Sequence, residues 1–283
     1  RKRMLNMIKV ELTKLRKRRM TWILLGVMVA FYLLSFFGMY AVVQNPPDRM
    51  GSEATATLQS LLTLPAAANM IFSTAQSIGA LLLIILVASA VGNEYGWGTI
   101  RQVLTRKGVR HQYILAKVTA YIIYAIIGVA IAVIIGFLFS MITTNLIDGG
   151  IDWGFITSSF VWDMFKNYGW TLYAIIPYIL LAVTFAVLGR SAMVGVGASL
   201  GYWFIEQIAV GIFSGAGGNW AKIPHYLIGP NSESLLPGVA MSGPFAPSGD
   251  APSTVWAVVT LIIYSVALLG ISIWLFKKRD ITA

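Results

Sequence analysis

The sequence contains no cysteine and only two histidines among its 283 residues. The lack of cysteine excludes disulfide bonds, thiolate metal sites and a cysteine nucleophile. Two histidines are too few for a metal centre built on imidazole ligands. Charged residues are also scarce, at 11% of the chain, whereas a soluble domain carries roughly 25%. These shortages argue against a metalloenzyme and against a soluble protein, and we expect no metal site.

Long apolar runs take the place of the missing charge, and hydrophobic residues make up 57% of the chain. A helix needs about 20 apolar residues to cross the hydrocarbon core of a bilayer. Six segments meet that length: Thr21–Val43, Met70–Val91, Ile114–Ile142, Trp170–Leu188, Ala192–Phe213 and Thr254–Phe276. The sequence therefore predicts an all-α, polytopic membrane protein with six transmembrane helices.

The basic residues are distributed unevenly between the two predicted faces. With the N-terminus inside, 18 of the 21 lysines and arginines fall on the inner side of the membrane. This asymmetry is typical of cytoplasmic loops, and it accounts for the net charge of +10 without a nucleic-acid partner. We expect a multi-pass protein of the cell membrane with both termini in the cytoplasm.

The chain divides into a short N-terminal segment and one six-span domain. In residues 1–20, apolar side chains recur at helical spacing on a basic segment: Leu5, Ile8, Leu12 and Leu15. A basic amphipathic helix of this kind lies in the membrane interface, where anionic headgroups of the lipid bilayer attract it. Residues 21–283 form the predicted six-span domain.

Two outer segments carry features of their own. Ser52–Leu62 reads as a short helix, and residues 214–253 form a long outer loop that holds six of the ten prolines. Structureless loops of that length are uncommon. A lid, a re-entrant segment covered by protein and a dock for another protein all remain open as interpretations of this loop.

The loop between the second and third spans, residues 93–113, is strongly basic, and Gly96 and Gly98 lie near its start. Ile100, Val103 and Leu104 recur at helical spacing and predict a small apolar face. Arg101 and Arg110 lie among the basic residues around it. We interpret this segment as a cytoplasmic helix that inserts into a groove of a partner protein.

This loop resembles the first cytoplasmic loop of ABC-2 type exporter permeases, the membrane subunits of ATP-binding-cassette transporters. The resemblance rests on Glu94, Gly98-Thr99, Leu104, Gly108-Val109-Arg110 and Lys117. The serine usual between the valine and the arginine of this motif is missing. Further similarity lies in the basic N-terminal helix, the turn Leu188-Gly189-Arg190-Ser191 and the ending Phe276-Lys277-Lys278-Arg279-Asp280-Ile281.

The resemblance implies that the loop is a coupling helix in contact with an ATPase. The contact residues carried over from the motif and its apolar face are Glu94, Gly98, Thr99, Ile100, Arg101, Val103, Leu104 and Arg110. The chain has no phosphate-binding loop, since the dipeptide Gly-Lys never occurs in it. We therefore expect no cofactor and no ATPase activity in this chain itself, with ATP and Mg bound by separate P-loop ATPase subunits.

The implied assembly also contains a second permease subunit, in a homodimer or a heterodimer. The apolar spans and the lack of a large outer domain favour an amphiphilic substrate, such as a drug, a peptide antibiotic or a lipid-like molecule, moved outward. The alternative function is a stand-alone secondary transporter or channel driven by an ion gradient.

Small residues recur in the fifth span. The string Gly197-Ala198-Ser199-Leu200-Gly201 matches a nucleophile-elbow pattern, but that chemistry requires a strand-to-helix turn, and this string lies in an apolar span. Small residues four apart instead let helices approach closely in lipid. We expect helix packing at Gly195, Gly197, Ser199 and Gly201, against either the same subunit or a dimer partner.

Glu206 is the single acid inside a predicted span, and Gln207 follows it. A carboxylate within the membrane is costly and rarely faces lipid. Three interpretations remain open: Glu206 and Gln207 line a wet translocation path, Glu206 is protonated or hydrogen-bonded in a structural role, or it lies nearer the outer interface. Trp170, Tyr173 and Tyr178 are predicted interfacial anchors.

Overall fold

The computed structural model describes residues 2–48, 50–98, 110–216, 218–236 and 251–278, and no β-strand occurs in these ranges. In chain order the α-helices are α1 (Lys2–Lys17), α2 (Arg19–Gln44), α3 (Ser52–Leu62), α4 (Ala67–Gly96), α5 (Arg110–Asp148), α6 (Ser158–Gly189), α7 (Ala192–Ala216), α8 (Ile228–Glu233) and α9 (Thr254–Lys278). Two 3-10 helices, Trp153–Phe155 and Gly218–Tyr226, lie in the connections.

Within the described ranges, six helices are long and apolar enough to cross a membrane: α2, α4, α5, α6, α7 and α9. Each contains one of the predicted spans, so the all-α, six-helix prediction is confirmed and the chain is a multi-pass membrane protein. The helices run beyond the predicted ends. The 39 residues of α5 extend for about 58 Å at 1.5 Å per residue, because polar residues continue the helix past its apolar part.

Two helices form the centre of the bundle. In the most apolar stretch of α4 and of α6, 56% and 67% of the residues are buried, whereas the other four spans bury only 17–22%. The outer helices keep large apolar side chains on their surfaces, such as Leu34 on α2 and Val255 on α9. A hydrocarbon environment accepts such surfaces, because lipid tails are as apolar as the side chains themselves.

Helix α1 is separated from α2 by Arg18, which has an extended backbone conformation, and it packs on the first turns of α5. Two side chains of α2 cap its end: Thr21 Oγ1 donates to the carbonyl of Leu15 at 2.7 Å, and Trp22 Nε1 donates to the carbonyl of Arg16 at 3.0 Å. Leu15 is buried, whereas Leu5 is exposed. The C-terminal part of the predicted apolar stripe thus packs on protein, and its N-terminal part does not.

The short helix predicted at Ser52–Leu62 is confirmed as α3, with the same bounds. Hydroxyl groups near the end of α5 form hydrogen bonds with the backbone at the C-terminus of α3. Thr143 Oγ1 donates to the carbonyl of Leu62 at 2.8 Å, and the amide of Leu64 donates to Thr144 Oγ1 at 3.0 Å. These bonds satisfy backbone groups that the helix end would otherwise leave without partners.

The segment after α7 folds back into the bundle. In residues 218–236, which we call the re-entrant segment, α8 is buried among α6, α7 and α9. Trp256 Nε1 donates to the carbonyl of His225 at 2.8 Å, and the hydroxyl of Tyr264 donates to the carbonyl of Tyr226 at 2.9 Å. This part of the long outer loop is covered by protein, as the re-entrant interpretation requires. Residues 237–250 lie outside the described ranges.

Candidate functional site

Four charged side chains meet where α1, α4 and α5 come together, and we call them the ion cluster: Glu11, Lys14, Glu94 and Lys117. Lys117 is 1% exposed, and its Nζ lies 2.9 Å from Glu11 Oε2 and 2.8 Å from Glu94 Oε1. Burying an ammonium group is costly unless carboxylates and hydrogen bonds compensate it. Two carboxylates from two other helices provide that compensation.

Lys14 completes the ion cluster from the rim. Its Nζ lies 2.9 Å from Glu11 Oε1 and 3.2 Å from Glu94 Oε1, while about half of its side chain, 49%, stays exposed. The two ammonium groups balance the two carboxylates, so the ion cluster carries no net charge. It bridges residues far apart in sequence: α1, the end of α4 and the start of α5.

Aromatic rings enclose the buried side of the ion cluster. The hydroxyl of Tyr113 donates to Glu94 Oε2. Lys117 Nζ lies 5.2 Å and 5.8 Å from the ring centroids of Tyr113 and Tyr121, within the range of cation–π attraction. Tyr113 also stacks on Phe276 of α9 at 5.7 Å. The ion cluster is thereby linked to a fourth helix.

Helical spacing explains why these side chains converge. Tyr113, Lys117 and Tyr121 are four residues apart on α5, and Glu11 and Lys14 are three apart on α1. Side chains at these spacings share one face of a helix. When these faces of α1 and α5 pack together, Glu11 therefore comes within reach of Lys117.

Among the predicted ATPase contacts, only Glu94 and Gly98 lie fully within the described residues. Glu94 is 4% exposed and points into the ion cluster. Its side chain is therefore not placed at the surface, where an ATPase could contact it. Gly98 has φ +69°, a left-handed conformation that glycine adopts readily. Thr99, Ile100, Arg101, Val103 and Leu104 lie outside the described residues, as does the side chain of Arg110.

Sequence reasoning missed the joint role of Glu11, Lys14 and Lys117. A signal for it was present, since Glu11 is the single acid of the basic N-terminal segment and Glu94 is the single acid of the basic loop. An isolated acid in each of two basic segments suggests a shared cationic partner. The sequence analysis had assigned Lys117 to the basic inner face of the membrane. Only the packed structure identifies it as the shared partner.

Glu206 on α7 holds the re-entrant segment in place. It is 3% exposed, and the backbone N–H of Gly229 donates to its Oε1 at 2.9 Å. The hydroxyls of Tyr178 and Tyr202 lie 3.4 Å from its two carboxylate oxygens. Of the three interpretations, this arrangement supports the structural one, because the carboxylate is occupied as an acceptor for the start of α8.

Tyr178, predicted as an interfacial anchor, is buried in this arrangement. Gln207 lies beside the same turn, since a Cβ added to Gly229 would come 3.6 Å from Gln207 Nε2. Among the described residues, no three His, Cys, Asp or Glu side chains converge in a way that could hold a metal ion.

The small residues of α7 divide between two faces. A Cβ at Gly195 would come 2.8 Å from the Cβ of Ala186 on α6, and Ser199 is fully buried. At Gly195 the neighbour is therefore α6 of the same chain. Gly197 and Gly201 have open space where a Cβ would be, so the packing predicted there is not made within this chain.

A search of curated proteins found no match. Residues 23–282, which include all six long helices except the first four residues of α2, match a family described as "Protein of unknown function (DUF2705)". This match spans far more than half of the chain, and the protein belongs to the DUF2705 family.

Proposed function

We propose that this protein is the membrane subunit of an ATP-driven exporter of the ABC-2 type. The observation that carries the proposal is the ion cluster, because it ties α1 to both ends of the basic loop between α4 and α5. Glu94 lies two residues before the end of α4, and Lys117 lies seven residues after the start of α5. A displacement of the loop is therefore passed to three helices at once.

The energetics favour a positional role for the ion cluster. A buried ion pair contributes little net stability compared with apolar packing of the same volume, because removing two charges from water offsets their attraction. What such groups can specify is which elements meet and in which register. In an ATP-driven permease, that register would keep the loop and the amphipathic helix moving together.

In the proposed complex, separate P-loop ATPase subunits bind ATP and Mg and contact the loop around Leu104. The protein lies in the cell membrane with both termini in the cytoplasm. A second permease subunit completes the translocation path. ATP binding favours one arrangement of the spans over another, since a ligand shifts an equilibrium only through its different affinity for the two states. The cargo is an amphiphile moved outward.

The alternative, an ion-driven secondary transporter or channel, relied on Glu206 as an ion-binding group. Its carboxylate accepts a backbone hydrogen bond at 2.9 Å and approaches two tyrosine hydroxyls. A group engaged in this way supports the fold of the re-entrant segment rather than ion exchange. We therefore favour the ATP-driven function.

The test is purification of the tagged protein in mild detergent after expression with its neighbouring genes, followed by an ATPase assay. We expect a soluble P-loop ATPase to co-purify, and to be lost in Leu104→Glu. Ile156→Glu is the matched control, since it places a carboxylate in an exposed connection before α6. Co-purification that survives Leu104→Glu would refute the coupling role of the loop, and a lone protein without ATPase would refute the exporter.

A further inference from the structure

An apolar groove of about 360 Å³ opens on the side of the bundle between α1, α2, α4 and α5. We call it the lateral groove. Leucine, isoleucine, valine and methionine side chains of the three spans line its length, and two glycines, Gly79 and Gly128, face it. A Cβ added at either glycine would meet nothing within 4 Å. The groove is therefore open space in this chain.

One end of the lateral groove is polar. Arg16, Thr21, Trp22 and Tyr124 line the groove where α1 meets α2. Tyr124 of α5 lies near Thr21 and Arg16 at this end of the groove. Within the described part of the chain, no carboxylate lies within 4.0 Å of Arg16, because the ion pairs found there all involve Lys14 or Lys117.

An apolar groove in a membrane does not stay empty. A void forfeits the dispersion contacts of the atoms around it, and the material next to the spans of a membrane protein is acyl chain. The polar end determines which lipid fits best. Arg16 is an exposed cation on a basic helix, and basic segments at a membrane surface attract anionic headgroups.

We propose that the lateral groove binds one acyl chain of an anionic membrane lipid, with Arg16 contacting its headgroup. Trp22, 62% exposed at the mouth of the groove, suits this position, since tryptophan is enriched at membrane interfaces. The lipid then fills the space that α2, α4 and α5 leave between them. This inference requires only that the protein spans a membrane, and it is independent of the proposed exporter function.

The test uses photoactivatable lipid probes with the full chain in phosphatidylcholine vesicles that contain a minority of phosphatidylglycerol. One probe is a phosphatidylglycerol and the other a phosphatidylcholine, each with a diazirine in its acyl chain, and labelled peptides are identified by mass spectrometry. We expect the phosphatidylglycerol probe to label groove peptides of α4 and α5 roughly five-fold more than the phosphatidylcholine probe, the effect of about one basic residue.

Two sets of variants, each with a matched control, make the test specific. Gly79→Leu and Gly128→Leu each place a side chain in the groove and should abolish this labelling, whereas Gly26→Leu, on an exposed part of α2 outside the groove, should not. Arg16→Gln should remove the preference for phosphatidylglycerol, and Arg19→Gln, also exposed, should retain it. Two independent groove-filling variants guard against misfolding of either one.

The proposal is overturned if both probes label the groove peptides equally, or if both filled variants are labelled like the unmodified protein. It is also overturned if Arg19→Gln loses the preference as fully as Arg16→Gln does, because general surface charge would then explain the labelling.

Discussion

Lys117 Nζ lies 2.9 Å from Glu11 Oε2, although 106 residues separate the two in sequence. Glu11 belongs to a helix outside the spans, and Lys117 belongs to a span that is buried at this point. The pair fixes an amphipathic helix to the bundle by a contact that requires both partners to be charged.

Replacing Lys117 with methionine should destabilise the protein strongly. The substitution keeps much of the side-chain volume but leaves the carboxylates of Glu11 and Glu94 buried with Lys14 alone as a cation. Breaking a buried ion pair by removal of one partner costs about 3–5 kcal/mol. A fall in the thermal unfolding midpoint of the purified protein in detergent would show this.

Lys14→Met is the matched control, because its side chain is 49% exposed and an exposed pair contributes about 1 kcal/mol or less. Adding Glu11→Gln to Lys117→Met should restore part of the loss, since one unpaired charge is removed. Equal midpoints for Lys117→Met and Lys14→Met would contradict the buried role of Lys117.

Glu206→Gln should loosen the re-entrant segment. The amide presents donors as well as an acceptor to a site built from the N–H of Gly229 and two tyrosine hydroxyls. Leaving such a buried group unsatisfied costs about 1–3 kcal/mol. Hydrogen exchange measured by mass spectrometry should become faster in Ile228–Glu233.

The control for this substitution is Glu53→Gln, an exposed acid on α3, which should leave exchange in α8 unchanged. Unchanged protection of α8 in Glu206→Gln, combined with loss of ion-driven transport, would instead favour the alternative function.

Two glycines of α7 should differ in their tolerance of alanine. A Cβ at Gly195 would come 2.8 Å from Ala186 Cβ and 2.9 Å from Ala186 Cα, so α6 and α7 must separate. Overpacking of this kind costs about 1–3 kcal/mol. Gly197→Ala has open space and should be tolerated. Unfolding midpoints of the two variants provide the comparison, and a tolerated Gly195→Ala would disprove the close approach.

The orientation in the membrane can be tested directly because the chain contains no cysteine. Thr13→Cys on α1 and Ser159→Cys at the start of α6 both replace exposed residues. If the N-terminus is cytoplasmic, an impermeant maleimide should label Ser159→Cys in intact cells and Thr13→Cys only after permeabilisation. The reverse pattern would invert the proposed topology.

The number and type of the long helices followed from the sequence, because a bilayer requires about 20 apolar residues per span whatever the neighbours are. Ser52–Leu62 was also predicted with its observed bounds, since its helical pattern is local. The positions of the basic residues predicted an orientation, which the cysteine experiment tests. These inferences depend on a residue and its near neighbours along the chain.

The partners of the buried polar groups were decided only by the tertiary structure. Glu94 was predicted to contact another protein, yet its carboxylate meets Lys117 from the next span and Lys14 from α1. Glu206 was open to three interpretations, and the sequence did not reveal that the start of α8 lies against it. A hydrogen bond or ion pair requires atoms within about 3 Å, and residues more than 20 positions apart reach that distance only through the packing of whole helices.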